Sequence, residues 1–355
     1  SRLRLAEGIA ETRFAGDAIV RVAVLADRPA GWIEAKGCIP EVAVIAPAFG
    51  GKPGKAIRAI SAGDLSLLGY PAPETREGPN CRGFVQEGWG GFRFAVAVVW
   101  RQDGDAWRAA WSIATSDEHQ DPFALATERA GALLAPANAD AALAAHKAWW
   151  DAWWNRVTVE VPDARIQKQW YLETAKFGAA ARPDTPPISL QGPWTADDGK
   201  LPPWKGDYHH DLNTQLSYWP AYSGNRMDGA LGYVSWLWNN RGNALEWTKR
   251  FFDLPGLNVP MTTDIRLRQI GGWRQYTHSA TTGAWLAHHF YLHWQFSRDR
   301  QFLETMAWPW IRDCAVFLEA VTAEKDARGK RSLPLSSSPE IHDNKPRAWF
   351  PVVAM

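Results

Sequence analysis

The chain is predicted to be multidomain, with a β-sandwich-like N-terminal domain followed by a helical domain of toroid type. Its 355 residues exceed the length of one average domain. Up to about residue 135, short apolar or alternating runs are broken by Gly, Pro and Asp, as in strands. After residue 162, apolar residues recur at helical spacing. We therefore expect a β-rich domain over residues 1–135, a helical linker over 136–160 and a helical domain over 161–355.

The β-rich domain contains several segments with strand patterns. Phe92–Trp100 is rich in Val and aromatic residues, so we expect it to be a central strand. The pattern favours an antiparallel β sandwich. The strands are few for a complete large sandwich, so we expect a small domain or one that lacks its beginning. The segments are Ala18–Leu25, Glu41–Ile45, Phe92–Trp100 and Ala106–Ser112.

Helical patterns begin before the second domain. Asp121–Arg129 predicts a short helix, and the Ala-rich Asn138–Val157 predicts a linker helix opened by an Asn or Asp cap. The linker carries a wide apolar face of tryptophans, which favours packing between domains over ligand stacking. These tryptophans are Trp149, Trp150, Trp153 and Trp154.

The helical domain alternates predicted helices with long loops. We expect loops beyond about 15 residues to be functional, and helices joined by elaborate loops on one rim suit an α/α toroid. The loops are 182–207, 253–280 and 328–350. The predicted helices run from the Asp163 cap to about Ala181, over Arg226–Phe252 with a break near Asn239–Gly242, over Thr281–Phe296, and over Arg300–Ala323 with an interruption at Pro309.

Composition limits the partners. The formal net charge of +1 gives no electrostatic argument for a nucleic acid or a membrane surface, and we expect neither as a partner. No apolar run is long enough to span a bilayer, and no signal peptide is evident. The opening SRLRLAEG is typical of a domain interior. We therefore expect a secreted or periplasmic protein whose signal segment is not present in this chain. The sequence does not indicate the oligomeric state.

The three cysteines are too few and too scattered for a disulfide framework or a cysteine metal site. Cys38 and Cys81 could pair in an oxidising compartment, although their spacing does not decide this. We expect no metal and no cofactor.

The stretch 191–220 combines aromatic rings with many polar side chains. Such a run makes a poor dry core, because each buried His, Asp or Asn needs a partner. It suits a sugar, whose C–H faces stack on rings while its hydroxyls form hydrogen bonds. The 22 tryptophans of the chain are in keeping with this interpretation. We expect Trp194 and Trp204 to bind substrate; the alternative is a structural loop with satisfied polar groups.

His209, Asp211 and Asn213 share one face if the backbone is extended or in a first helical turn. An imidazole, a carboxylate and an amide on one face can hold a hydroxyl pair or position a water molecule, and we expect His210 to join in substrate binding. The grouping also resembles part of a metal site, but no H-x-x-x-H or H-E-x-x-H spacing accompanies it.

Two further segments carry candidate residues. In SSSPE, a Pro fixes the backbone before Glu340, and a carboxyl in an aromatic pocket has a raised pKa that suits a general acid. Ser-Pro-Glu also begins helices, which is the alternative. In G-A-W-L, Trp285 could project into a pocket, whereas His293 and its neighbours are typical of a core or groove. No G-x-S-x-G or phosphate-binding loop is present.

Several of these segments resemble glycoside hydrolase family 95. The resemblance covers about residues 144–349, with the motifs in the family's order. It rests on VPDARIQKQWYLETAKFGAAARPDTPPISLQGPW, LPPWKGDYHHDLNTQLSYWPAYSGN, TTGAWLAHHFYLHWQFSRDRQFL and SSSPE. The β-rich N-terminal part resembles the family only in its strand-like pattern, and not in any motif.

The resemblance implies an N-terminal β domain, a linker and an (α/α)6 catalytic barrel. It also implies an exo-acting, inverting α-L-fucosidase or related α-L-galactosidase that needs no metal and acts on an oligosaccharide or polysaccharide. The family's general acid falls on Glu340. Its sugar-binding His and two water-positioning Asn residues, in H-x-N-x-N, fall on His209, Asp211 and Asn213, and a pocket Trp falls on Trp285.

Two departures accompany the resemblance. Asp211 stands where the family has Asn, so an amide becomes a carboxylate that could take a proton or favour another sugar. The family's catalytic Asp base lies further along the barrel, and the predicted helices number about half of a six-pair barrel. We therefore expect a fragment truncated at its C-terminus, with Asp211 acting alone as base as the alternative. Another sugar specificity or a non-catalytic carbohydrate-binding protein are the other functions considered.

Overall fold

The computed structural model describes residues 1–50, 65–192, 203–270, 274–337 and 350–351. The described residues fall into two units: the first comprises 1–50 and 65–175, and the second begins at residue 176. None of the helices in these ranges combines the length and apolarity that a bilayer crossing requires. The domain limits given by the sequence stay predictions.

The first unit contains an antiparallel sheet of eight strands in the order β1-β2-β3-β4-β8-β7-β6-β5. The two longest strands, β7 and β8, lie side by side within it, as expected for the Val- and aromatic-rich segment around residues 92–100. The strands are β1 Arg2–Arg4, β2 Ile9–Arg13, β3 Ile19–Val24, β4 Ala30–Lys36, β5 Glu74–Gly78, β6 Cys81–Glu87, β7 Arg93–Asp103 and β8 Ala106–Thr115.

The predicted strand Glu41–Ile45 is wrong. These residues have no strand pairing, and Ile45 is 90% exposed. Val42 packs beside a cluster of Ala35, Trp107 and Ala109 on the sheet. Apolar content alone does not make a strand, because a strand also needs a neighbour that completes its backbone hydrogen bonds.

Two helices cover one face of the sheet. α1 (Pro122–Ala132) and α2 (Pro136–Trp154) pack their alanine and leucine side chains on that face. The antiparallel β domain is confirmed. A second sheet facing the first, as in a sandwich, is not found among the described residues of this unit, where helices cover one face of the sheet.

The caps of the first helices follow two different rules. Asp121 caps α1 by accepting hydrogen bonds from the backbone N–H groups of Phe123 and Ala124. α2 begins at Pro136 without a side-chain cap, so the predicted Asn or Asp cap is wrong. Pro is favoured at this first position because its missing N–H would have no helical partner there.

The predicted linker helix α2 is fixed to the turns that connect the first strands of its own unit. His146 is fully buried, and its Nδ1 and Nε2 atoms lie 3.2 Å from the Ala26 nitrogen and the Gly8 carbonyl oxygen. The indole of Trp154 donates to the Leu5 carbonyl at 2.9 Å. These contacts hold its aromatic face against the N-terminal turn.

The second unit is mainly helical. The break predicted near Asn239–Gly242 is confirmed, since one helix ends at Asn239 and the next begins at Arg241. The helices are α3 Ala164–Ala180, which crosses into this unit, α4 Asn213–Ser223, α5 Met227–Asn239, α6 Arg241–Phe252, α7 Thr282–Ser297, α8 Arg300–Phe302 and α9 Trp308–Val321. The short strands are β9 Tyr208–His209, β10 Thr262–Thr263, β11 Ser332–Leu333 and β12 Phe350–Pro351.

The core of the second unit lies between α4, α5, α7 and α9. Tyr218 stacks on Tyr233 with ring centroids 4.5 Å apart, and Phe290 stacks on Trp310 at 4.6 Å. All four side chains are buried. Such aromatic pairs contribute about 0.5–1.5 kcal/mol beyond the area they bury. This packing holds α4 and α7, the two helices that follow the predicted site segments, in fixed positions.

Candidate functional site

The predicted site segment lies at a strand-to-helix junction. β9 pairs antiparallel with β10, with His209 opposite Thr262, and the chain then turns through residues 210–212 into α4. The His209 backbone N–H donates to Thr214 Oγ1 at 3.1 Å, which joins the end of the strand to the first turn of the helix. The backbone around His209 is therefore held on both sides.

His209 forms a buried pair with Asp207. The Nε2 atom of His209 lies 2.9 Å from Asp207 Oδ1, and the two residues are 7% and 8% exposed. A carboxylate facing one ring nitrogen fixes the orientation of an imidazole and favours a proton on that nitrogen. Asp207 is held in turn through its carbonyl, which accepts from the Leu190 N–H at 2.8 Å.

His210 is oriented away from solvent. It is fully buried, and its Nε2 and Nδ1 atoms lie 2.9 Å from Thr263 Oγ1 and 3.5 Å from the Tyr233 hydroxyl. Burial lowers the pKa of His210 to about 3, so the ring is neutral at physiological pH. The prediction that His210 binds substrate directly is not supported by this geometry, because both nitrogens face protein hydroxyls. It connects the β9 end to α5 instead.

Asp211 and Asn213 lie at the start of α4. Asp211 is partly buried in the turn, and Asn213 is the first residue of the helix and exposed. The exposed amide of Asn213 can donate to and accept from hydroxyls or water, and backbone N–H groups of a first helical turn have no helical partners. Asp211 and Asn213 thus follow the buried His209 within four residues in the sequence, at the turn into α4.

Trp285 lies on the first turns of α7. It is 41% exposed, and its ring centroid is 6.3 Å from that of Trp219 on α4. Trp219 stacks on His289, which is also buried against Tyr222. An exposed indole supported from behind by another ring is suitable for stacking on a sugar.

Asn258 fixes the start of α7. Its Oδ1 accepts from the Gly283 N–H and its Nδ2 donates to the Ser279 carbonyl, both at 2.9 Å. Asn258 is fully buried, and its own N–H donates to Thr248 Oγ1 at 2.8 Å. The segment that carries Trp285 is thereby connected to α6.

Of the three remaining predicted site residues, only Trp204 lies within the described part of the chain. Trp204 lies in a short 3₁₀ turn, partly buried, with a φ angle of 55°. Trp194 and Glu340 lie outside the described residues. Ser336 and Ser337, which precede Glu340 in the sequence, are buried, and the Ser337 N–H donates to the His278 carbonyl at 3.4 Å.

No group of three or more His, Cys, Asp or Glu side chains in the described ranges could hold a metal ion. The three cysteines, all within those ranges, are free thiols.

Comparison with protein families decides the classification. Residues 143–350, more than half of the chain, match the model described as the glycosyl hydrolase family 95 catalytic domain. The chain belongs to glycoside hydrolase family 95. The resemblance over about residues 144–349 is thus confirmed, and all the predicted site residues from Trp194 to Glu340 lie inside the matched range.

Proteins similar to this family 95 chain include two curated relatives and a solved structure. It is 26% identical over 149 residues to "Probable alpha-fucosidase A" of Aspergillus niger, covering 40% of this chain and 18% of that protein. It is 26% identical over 142 residues to "Alpha-L-fucosidase 2" of Arabidopsis thaliana, covering 39% and 17%. The match therefore spans about a fifth of the length of these relatives.

The solved structure "Putative kojibiose phosphorylase from human microbiome" superposes with a TM-score of 0.66 at 12% identity, covering 95% of this chain and 47% of the other. This similarity concerns the fold. It supports a β domain followed by a helical domain, as observed here.

The structure singles out two buried residues, Asp207 and Asn258, to which the sequence analysis assigns no role. Asp207 could have been found, because its carboxylate precedes His209 by two residues at a strand end. Asn258 gives no local signal, because its partners are 10 to 25 residues away in the sequence.

Proposed function

We propose that this family 95 member is an exo-acting, inverting glycoside hydrolase. It removes a terminal α-L-fucose or α-L-galactose-type residue from an oligosaccharide or polysaccharide. The observation that carries the proposal is the buried Asp207–His209 pair beside Asp211 and Asn213, within the segment that matches the family. Two relatives named as fucosidases support the sugar class.

The helical unit is proposed to be part of an (α/α)6 toroid. α4 and α7 pack on each other, and each begins at a candidate site segment. In such an arrangement the helix starts would surround a pocket.

Substrate recognition is assigned to His209 and Trp285. The His209 imidazole, held by Asp207, would bond to a sugar hydroxyl, and the Trp285 ring would stack on the C–H face of the same sugar. Trp204 and Trp194 are proposed as further aromatic contacts. His210 acts indirectly, by holding the β9 end through Thr263.

Glu340 is proposed as the general acid. It would protonate the glycosidic oxygen while the bond breaks through an oxocarbenium-like transition state. A water molecule on the opposite face of the sugar, positioned by Asn213 and activated or positioned by Asp211, would attack with inversion. Inverting enzymes hold acid and base carboxyl groups about 6.5–9.5 Å apart, which leaves room for this water.

A second specificity is favoured by one residue. Asp211 replaces the Asn expected from the family pattern, and a carboxylate accepts hydrogen bonds where an amide both donates and accepts. The same site could therefore prefer a different L-sugar or deoxy sugar.

The experiment is monosaccharide release from fucosylated and L-galactosylated oligosaccharides by the full-length protein, analysed by chromatography, with Glu340→Gln in parallel. We expect L-fucose or L-galactose from the parent protein and a rate reduced by about 10²–10⁴ in the variant. Binding without release would support a non-catalytic carbohydrate-binding protein and contradict the proposal. Near-normal turnover by Glu340→Gln on a substrate with a poor leaving group would exclude Glu340 as the acid.

A further inference from the structure

A groove of about 580 Å³ lies along α6, outside the site described above. Two aromatic rings form part of its wall, and polar or charged side chains form the rest. The lining residues are Asn243, Glu246, Trp247, Arg250, Phe251, Arg268 and Gln269.

The two rings of the groove are parallel and held in place. Trp247 and Phe251 are one helical turn apart, with ring centroids 5.5 Å apart and planes inclined by 8°. The Trp247 indole N–H donates to Gln269 Oε1 at 3.0 Å, and Gln269 Nε2 donates to Thr277 Oγ1 at 2.6 Å. Phe251 is 40% exposed. Because the indole is oriented before any ligand arrives, binding to it costs little side-chain entropy.

The polar part of the groove offers both donors and acceptors. Arg250 and Arg268 are exposed cations, and Glu246 is an exposed carboxylate 3.5 Å from the Arg250 guanidinium. Asn243 is oriented by donating to the Arg266 carbonyl at 2.8 Å. Rings flanked by such groups match a saccharide, which presents apolar C–H faces and hydroxyls together.

The groove adjoins the segment that leads to the predicted acid. The Phe251 ring lies 5.4 Å from the His278 ring, and the His278 carbonyl accepts from the Ser337 N–H. Ser337 is three residues before Glu340 in the sequence. A general acid protonates the oxygen that joins the terminal sugar to the leaving group, so the rest of the glycan continues from the acid's side of the site.

We propose that the α6 groove binds the leaving-group portion of the glycan, with Phe251 and Trp247 as stacking surfaces and Arg250 as a hydrogen-bond donor. This inference rests on the proposed function. It assigns the protein an extended oligosaccharide or polysaccharide substrate, whose leaving-group portion would lie in the groove.

The experiment compares two substrates in the full-length protein. One is an aryl α-L-fucoside or α-L-galactoside, which has no saccharide leaving group; the other is an oligosaccharide ending in the same sugar. Phe251→Ala and Arg250→Ala are the groove variants. Phe14→Ala, which removes a ring that is 56% exposed in the first unit, is the control for the first. Arg300→Ala, which breaks a similar exposed pair with Glu304, is the control for the second.

We expect Phe251→Ala to raise KM for the oligosaccharide about 3- to 10-fold, while kinetics on the aryl glycoside and both controls stay unchanged. Equal effects on both substrates, or none on either, would overturn the inference and leave the proposed function standing. If the parent protein hydrolysed neither substrate, the proposed function would fail, and the groove's assignment to a leaving group would fail with it.

Discussion

The Nε2 atom of His209 and the Oδ1 atom of Asp207 are 2.9 Å apart, and both side chains are buried. A carboxylate this close to a ring nitrogen favours a proton on that nitrogen and restricts the orientation of the ring. We therefore expect Asp207 to act through His209, as a positioning residue.

Asp207→Asn is expected to weaken sugar binding. The amide can still face the imidazole, but the negative charge that lies 2.9 Å from the ring nitrogen is lost. We predict a rise in KM of about 10-fold or more with a smaller change in kcat, measured by steady-state kinetics on an aryl glycoside. Asp253→Asn, which removes an exposed carboxylate paired with Lys249, is the control. An unchanged KM in Asp207→Asn would show that the pair does not position His209.

Asp211→Asn restores the amide of the family pattern and is expected to change sugar preference. An amide can donate to a sugar hydroxyl, whereas a carboxylate only accepts. We predict that the ratio of kcat/KM for L-fucosyl over L-galactosyl substrate shifts by about 10-fold, which corresponds to about 1.4 kcal/mol. An unchanged ratio would mean that Asp211 does not distinguish the two sugars.

Trp285→Ala removes the exposed ring at the start of α7. We predict a KM increase of about 3- to 10-fold, because a stacking contact worth about 0.5–1.5 kcal/mol is lost, with no large change in thermal stability. Trp308→Ala is the matched control, since that indole is 57% exposed at the start of α9. A similar loss in both variants would indicate a general structural effect.

His289 is expected to make stability depend on pH. Burial lowers its pKa from 6.5 to about 3 in the folded protein. Below pH 6.5 the unfolded chain therefore binds a proton that the folded chain does not, and stability falls as pH decreases, by about 1.4 kcal/mol per pH unit for this group. This contribution is fully present above pH 6.5.

Unfolding in urea at pH 7 and pH 5 tests this dependence. His289→Leu is expected to lose less stability between the two pH values than the parent protein does. His288→Leu, the exposed neighbour on the same helix, should retain the parent's pH dependence. The same pH dependence in the parent and in His289→Leu would contradict the assignment.

Two glycines of the second unit are expected to respond in opposite ways to alanine. A Cβ on Gly283 would lie 2.9 Å from Asn258 Cα, so the start of α7 would have to shift; we predict a loss of about 1–3 kcal/mol. A Cβ on Gly242, inside α6, would meet nothing within 4 Å, and Gly242→Ala should stabilise by about 0.5–1 kcal/mol. Denaturant unfolding of both variants gives the comparison; a stable Gly283→Ala would contradict the close packing described.

Local sequence patterns predicted much of the fold. Asp163 caps α3 through bonds to the backbone N–H groups of Arg165 and Ile166, and the break between α5 and α6 lies where Asn and Gly cluster. Both features depend on nearby residues. The strand predicted at Glu41–Ile45 is wrong because a strand also needs a partner elsewhere in the chain, which the local pattern does not show.

The same limit applies to the site. The motif around His209 was evident in the sequence, but the different roles of His209 and His210 were not. Neighbouring residues on a strand point to opposite sides, and only the folded chain shows that His210 meets Thr263 and Tyr233 in the interior. The role of Asn258 could not be predicted from the sequence for a related reason: its hydrogen-bond partners come from two other segments.

The pairing of β9 with β10 has a consequence for biosynthesis. His210 finds its Thr263 partner 53 residues later in the sequence. While a ribosome is still synthesising that interval, the strand that carries His209 has no neighbour at this edge. The end of β9 that carries His209 is therefore completed only after α6 has emerged, so translational pausing before Thr262 would prolong the exposure of an unpaired strand to chaperones and proteases.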